Sequence, residues 1–194
     1  MALVLLAAGR GTRLGHEVNK VFLPLAGRRV LTWSLDATAG LAEVRSTTLV
    51  LRDDDRQHAD AVLRGEAPGR TVDLVRGGET RHESELQALR ALGPQIGAGE
   101  VDVVLLHDAA RPLASPDLFG QVADAARRWG GALPVLEQPG VLFDEPPEHR
   151  PRLVTVQTPQ GFAAAPLLEA YERAELAGFA GSDTSACVER FSDL

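Results

Sequence analysis

From the second residue onward, short apolar runs alternate with amphipathic stretches, and this alternation restricts the chain more than any other feature. Residues 2–7 (ALVLLA) are apolar without interruption, as a strand buried on both faces must be. Residues 29–39 (RVLTWSLDATA) have helical spacing, with Val30, Trp33, Leu35 and Ala37 near one side. A second strand follows at 46–51 (STTLVL) and a second helix at 55–64, with Asp53–Asp55 available as its cap. The third strand, 71–75, is stopped by Gly77-Gly78, and helix 81–92 turns Leu86, Leu89 and Leu92 inward. Strand 101–106 and helix 116–129, with Ser115 as N-cap before Pro116, close the regular part. Beyond it, 131–136 (GALPVL) is a strand that Pro134 keeps from a central position. Residues 138–152 read as a proline-rich loop, 153–156 as a short strand and 165–177 as a helix, with one more helix before Leu194.

Strands alternating with helices predict an α/β fold: a Rossmann-like, mostly parallel sheet with helices on both faces, one domain over residues 1–194. Ligands of such sheets bind outside the carboxyl ends of the strands. The polar and glycine clusters at Gly9–Arg13, Arg76–Arg81 and His107–Pro112 each follow a strand and should meet at one sheet edge.

Composition narrows the ligand. A net charge of −7 argues against a nucleic-acid partner held by broad phosphate attraction. No apolar run approaches the ~20 residues of a membrane span. The single cysteine, Cys187, excludes an internal disulfide and a cysteine-based zinc cluster, so the expected compartment is the cytoplasm. Of the 20 basic residues only Lys20 is a lysine, a compact ammonium just beyond the first glycine loop.

That loop, Ala7-Ala8-Gly9-Arg10-Gly11-Thr12-Arg13, has the glycines that let a backbone turn tightly and approach a phosphate. It lacks the Gly-Lys-Ser/Thr of a P-loop, and Leu14 stands where a dinucleotide loop needs glycine. Arg13 and Lys20 suit the charge that builds on an α-phosphate under attack. Asp108 follows an apolar strand, where a carboxylate can take Mg²⁺ or a ribose hydroxyl, and Arg111 can grip a second phosphate. The alternative for these two is a structural ion pair. His107 reads as a packed, hydrogen-bonded residue rather than a base.

The ordered segments AAGRGTRLG, NKVFLPLAG, GGETRHES, HDAARP and QTPQGF resemble the 2-C-methyl-D-erythritol 4-phosphate cytidylyltransferases of non-mevalonate isoprenoid synthesis, over roughly residues 2–190. The resemblance implies a nucleotidyltransferase using CTP and Mg²⁺ and releasing pyrophosphate. It implies that Ala7, Ala8, Gly9 and Gly11 wrap the triphosphate, while Arg13 and Lys20 stabilise the α-phosphate. It assigns Gly78, Glu79 and Ser84 to the cytosine, Glu79 standing where the family commonly has aspartate. Asp108 and Ala109 would meet the ribose or the metal, and Arg111, Thr158 and Arg150 would face the polyol phosphate.

The chain departs from the family at three places. Asn19 replaces the usual proline before the lysine. Segment 137–149 is a shortened version of the arm that reaches across the family's homodimer, so weak acceptor binding and a weak or absent dimer are expected. A terminal Asn-x-Lys-x-Thr stretch has no counterpart before Leu194. Two alternatives stay open on sequence alone: a cytidylyltransferase for ribitol 5-phosphate or another polyol phosphate, and a non-catalytic nucleotide-binding domain or fragment.

Overall fold

β1 (Ala2–Leu6) opens the chain, followed by a 3-10 turn (Lys20–Phe22), a hairpin of β2 (Pro24–Leu25) and β3 (Arg28–Arg29), then α1 (Val30–Ala39) and β4 (Ser46–Leu51). A second 3-10 turn (Asp53–Asp55) leads into α2 (Arg56–Glu66), β5 (Asp73–Arg76), α3 (Arg81–Gly97), β6 (Val103–Asp108) and α4 (Pro116–Trp129). The remainder comprises β7 (Gly131–Ala132), β8 (Val135–Glu137), β9 (Val154–Val156), β10 (Gln160–Ala163), α5 (Ala164–Leu176) and α6 (Thr184–Phe191). This is a computed structural model that describes residues 1–9, 18–138 and 153–194.

The main sheet has the order β5-β4-β1-β6-β10-β7. Its β5, β4, β1 and β6 run parallel, while β10 runs antiparallel to both β6 and β7. β1 is flanked on both sides and covered on both faces. Its Leu3 and Leu5 enter a core with Leu31 and Leu35 of α1, Val62 of α2 and Phe119 of α4. Its Ala2 and Val4 enter the opposite core, with Leu86 and Leu89 of α3, Leu167 and Tyr171 of α5 and Cys187 of α6. Successive strand residues face opposite sides, so a strand with two cores has no polar position to show. Among the described residues, no helix is long and apolar enough to cross a membrane.

Several boundaries differ from the sequence-based expectation for identifiable reasons. α3 runs on through Pro94, beyond the expected end at 92. Pro94 and Arg90 are both exposed, so water can take the carbonyl that proline leaves unpaired, while buried Leu92 and Ile96 hold the last turns to the core. β6 extends to Asp108 because Leu5 and Leu6 of β1 pair with His107 and Asp108, placing two polar residues on a strand rather than in a loop. Pro134 divides the expected strand 131–136 into β7 at the sheet edge and β8, which pairs with β9 in a separate antiparallel ribbon. The proline-rich loop expected at 138–152 lies, from 139 onward, outside the described residues; the segments on either side of it pair with each other. The hairpin β2–β3 escapes a hydrophobic pattern altogether, being closed by Ala26 and Gly27 in the left-handed region (φ 49° and 84°). In α1 it is Leu31 and Leu35 that are fully buried, with Val30 and Trp33 only half-buried.

The helix caps divide likewise. Ser115 accepts from Leu118 N–H at 3.3 Å, as expected of an N-cap. Asp55 occupies the N-cap position of α2 but makes no capping bond; its carboxylate is taken by Arg52 and Asn19 instead. α3 begins with a full capping box, Thr80 accepting from Glu83 N–H while Glu83 accepts from Thr80 N–H.

One charge lies at the centre of the second core. Glu85 on α3 is fully buried and accepts from the Tyr171 hydroxyl of α5, the Thr184 hydroxyl of α6 (2.8 Å) and Arg81 Nε (3.0 Å). Burial pushes its carboxyl above the usual range, against the pull of Arg81 and the two hydroxyls. Three helices thus meet on one carboxyl group. Tyr171→Phe keeps the ring stacked on His82 (4.6 Å) but leaves Glu85 one donor short. It should lower stability by about 1–3 kcal/mol in urea titrations; an unchanged midpoint would show that the hydroxyl contributes nothing.

Candidate active site

The parallel strands release their chains at one edge. The ladder continues one step past each strand, with Ala7 N–H on Val50 O (2.8 Å), Gly77 N–H on Leu51 O (2.9 Å) and Ala109 N–H on Leu6 O (3.1 Å). The three polar clusters therefore begin at one edge of the sheet, those after β1 and β6 adjacent and that after β5 across β4. They border a cavity of about 760 Å³, lined by Ala7, Ala8 and Gly9 from the first, by Arg76 to Arg81 and Ser84 from the second, and by Asp108 and Arg111 from the third. Asn19 and Lys20 close one side, and Arg52 to Asp54 another.

Gly77 and Gly78 are required there by crowding. A Cβ on Gly77 would lie 2.5 Å from Ala8 Cβ, and one on Gly78 would lie 2.3 Å from Glu83 Cβ. The second loop can thus pack directly on the first and on the start of α3. Ser84 secures it, donating to Thr80 O (2.9 Å) and accepting from Gly78 N–H (3.1 Å). Glu79 is exposed at the rim, its N–H donating to Glu83 (2.7 Å).

Asp108 is held between two arginines. Arg81 donates to Oδ1 and Arg111 Nε to Oδ2 (3.0 Å). Burial works to raise its pKa, but Arg81 and Arg111 outweigh it and hold the carboxyl below the usual range. The ion pair with Arg111, the alternative to a ligand-binding role, therefore exists, and both its members line the cavity. Arg111 also reaches Gln157. Arg81 had no assigned role on sequence, yet it connects buried Glu85 to Asp108. A cation in the first turn of α3 opposes the helix dipole, and these two acids compensate for it. The available signal was Glu85 itself, an acid among the inward-facing positions of α3 four residues after an arginine.

His107 lies behind this cluster, fully buried. Its Nε2 faces the carbonyl of Arg111 at 3.2 Å, an acceptor only, so Nε2 carries the proton. Nδ1 is then an acceptor and takes the Thr158 hydroxyl proton (3.0 Å), while Thr158 Oγ1 accepts from Asp108 N–H (3.3 Å). Burial lowers the imidazole pKa to about 4, so it is neutral near pH 7. A brace of this kind, not a base, matches the sequence reading.

Of the expected contact residues, Ala7, Ala8, Gly9, Lys20, Gly78, Glu79, Ser84, Asp108 and Arg111 line the cavity. Two others sit beneath it. Ala109 is fully buried, its N–H given to Leu6 and its carbonyl to the Ser34 hydroxyl (3.1 Å). Thr158 is also buried, its hydroxyl committed to His107 and Asp108 as above. They support the contacts of neighbours rather than offering free groups of their own. Gly11, Arg13 and Arg150 lie outside the described residues.

A parallel α/β sheet with a cavity of glycine turns, arginines and one lysine at its carboxyl edge is the architecture of a nucleotide-handling transferase. Comparison with known proteins narrows this class. The family model described as IspD: 2-C-methyl-D-erythritol 4-phosphate cytidylyltransferase matches residues 1–193, and the chain belongs to that family. The enzyme of that name from Cereibacter sphaeroides is 40% identical over 176 residues, covering 88% of this chain and 76% of its own length. The crystal structure of 2-C-methyl-D-erythritol 4-phosphate cytidylyltransferase from Thermus thermophilus superposes with a TM-score of 0.68 at 31% identity, over 96% of this chain and 82% of the other. That of 4-diphosphocytidyl-2C-methyl-D-erythritol synthase from Anaerococcus prevotii gives 0.80 at 27%, over 98% and 81%.

The His107 brace makes stability sensitive to acid. Its pKa is depressed from an ordinary 6.5 to about 4 in the folded protein. The stabilisation is therefore complete above the ordinary value and is lost as pH falls toward the folded one. The full loss is about 3 kcal/mol, of which about 2 kcal/mol falls between pH 7 and pH 5. Urea midpoints across that interval should drop for the natural chain and drop less for His107→Gln. Parallel slopes would mean that His107 is not held neutral.

Proposed function

We propose that this chain transfers CMP from CTP to 2-C-methyl-D-erythritol 4-phosphate and releases pyrophosphate. The observation that carries the reading is the meeting, in one cavity of a chain of this family, of the Ala7–Gly9 turn, Lys20 and the Asp108–Arg111 pair. In the step itself an acceptor phosphate oxygen forms a bond to the α-phosphorus as the bond to the β-phosphate bridging oxygen breaks. Charge gathers on the equatorial oxygens of the α-phosphate, where Lys20, together with Arg13, stabilises it. The backbone of Gly78 and Glu79 lies toward the cytosine edge, held in place by Ser84 and Glu83, which take their N–H groups. Arg111 receives the acceptor phosphate, with Arg150 as a second contact, and Thr158 acts indirectly by fixing His107 and Asp108.

Mg²⁺ fits this site in one manner. Among the described residues no group of three or more His, Cys, Asp or Glu could hold a metal by itself. A cation carried largely by the triphosphate needs one carboxylate, and Asp108, now held by Arg81 and Arg111, is the group in the cavity that would supply it. The chemistry such a cation would supply is compensation of the negative charge of the pyrophosphate leaving group.

Pyrophosphate release tests the reading. CTP with 2-C-methyl-D-erythritol 4-phosphate should be turned over far better than UTP with the same acceptor or CTP with ribitol 5-phosphate, since unpaired polar groups penalise the wrong partner. Lys20→Ala should lower kcat by roughly 100-fold or more without changing the thermal midpoint. Equal use of both bases, or normal turnover by Lys20→Ala, would overturn the assignment.

A further inference from the structure

Asn19 is only 2% exposed, yet it immediately precedes the cavity-facing lysine. Its amide is fully used. Nδ2 donates to Ala7 O at 2.6 Å and to Asp55 Oδ2 at 3.0 Å, and Oδ1 accepts from Val21 N–H at 3.3 Å. Asp55 is itself buried and clamped by Arg52, with Nε on Oδ2 (3.0 Å) and Nη2 on Oδ1 (3.1 Å). One side chain therefore joins the exit of β1, the turn that begins with Lys20 and the turn that follows β4. The backbone around it is equally committed, with Phe22 N–H on Asn19 O (2.9 Å) and Leu23 N–H on Lys20 O (3.1 Å).

We infer that Asn19 is a positioning residue for the transfer, its amide holding Lys20 in fixed relation to the first loop so that the ammonium is aimed before the nucleotide arrives. The chemistry of the contacts requires an amide. Two acceptors, the Ala7 carbonyl and the Asp55 carboxylate, face Nδ2, while a donor, Val21 N–H, faces Oδ1. Aspartate matches Asn19 in shape but sets a third acceptor against the first two. Serine can still cap the turn at Val21, being a common N-cap residue, but is too short to reach Ala7 and Asp55 together. The consequence for rate follows from orientation: a catalytic group displaced by about an ångström can cost about 100-fold, although ground-state binding by the rest of the cavity persists.

The inference rests on the assignment of Lys20 above, and a double-mutant cycle separates the two. Steady-state kinetics with CTP and 2-C-methyl-D-erythritol 4-phosphate would be run on the full chain and on Asn19→Ser, Asn19→Asp, Lys20→Ala and Asn19→Ser/Lys20→Ala, with thermal midpoints alongside. Asn19→Ser and Asn19→Asp should each lower kcat by about 10- to 100-fold while KM for CTP stays within about threefold. In the Lys20→Ala background, Asn19→Ser should cost little more, because its effect passes through the missing ammonium. If Lys20→Ala is active, the functional assignment itself fails. If Lys20→Ala is inactive but Asn19→Ser turns over normally, or the two losses simply multiply, Asn19 does not act through Lys20 and the inference is overturned. Should Asn19→Asp fail to fold, the serine variant alone decides the matter.

Discussion

β1 has no free side: two parallel neighbours occupy its edges and two separate cores occupy its faces. A strand so enclosed cannot shift register by one residue without exchanging Leu3 and Leu5 for Ala2 and Val4, which would misfit both cores at once. The register then determines where each neighbouring chain leaves the sheet, because Val50, Leu51 and Leu6 continue the ladder into the loops. The cavity is a consequence of that alignment. Burial at the centre of the molecule supplies positional accuracy at its edge, without any polar residue in β1 itself.

From the second core to the cavity, charges alternate through Glu85, Arg81, Asp108 and Arg111. Each member is held by the next, and the first is tied to α5 and α6 through Tyr171 and Thr184. Such a series sets the directions of two arginines at the cavity of a negative protein. It also keeps Asp108 ionised despite its burial. His107 and Thr158 supply the corresponding neutral support from behind, so the same cluster is fixed both by charge and by directional hydrogen bonds.

What could be read from the amino-acid order was the part governed by local pattern. The unbroken ALVLLA run, the inward leucines of α3 and the Ser115 cap all announce themselves, and the rule that ligands sit at carboxyl strand ends then places the polar clusters together. Partners remote in the chain could not be read. Nothing near Asp108 says that its second arginine comes from α3, and nothing near Asp55 says that it serves Asn19 rather than its own helix. β10 does not announce itself, because its four residues, Gln160 to Ala163, carry no apolar alternation. Asn19 stood out only as a replacement for proline. Its φ of −58° lies in the range a proline ring enforces, so the amide secures by hydrogen bonds a backbone conformation that a ring would secure covalently.

The reversed direction of β10 changes which end of a strand bears the chemistry. Because Gln160 pairs with Leu106 near the carboxyl end of β6, it is the approach to β10, not the exit from it, that brings Gln157 to Arg111 and Thr158 to His107 beneath the cavity. The cavity residues at Ala7–Gly9, Gly77–Arg81 and Asp108 are outflows of the parallel strands, and any insertion there displaces them. Gln157 and Thr158 instead follow β9, whose ribbon with β8 is separate from the main sheet. The two groups of residues thus differ in evolvability: those at strand exits can tolerate substitution but not resizing, while those on the approach to β10 hang on a ribbon whose length the main sheet does not set.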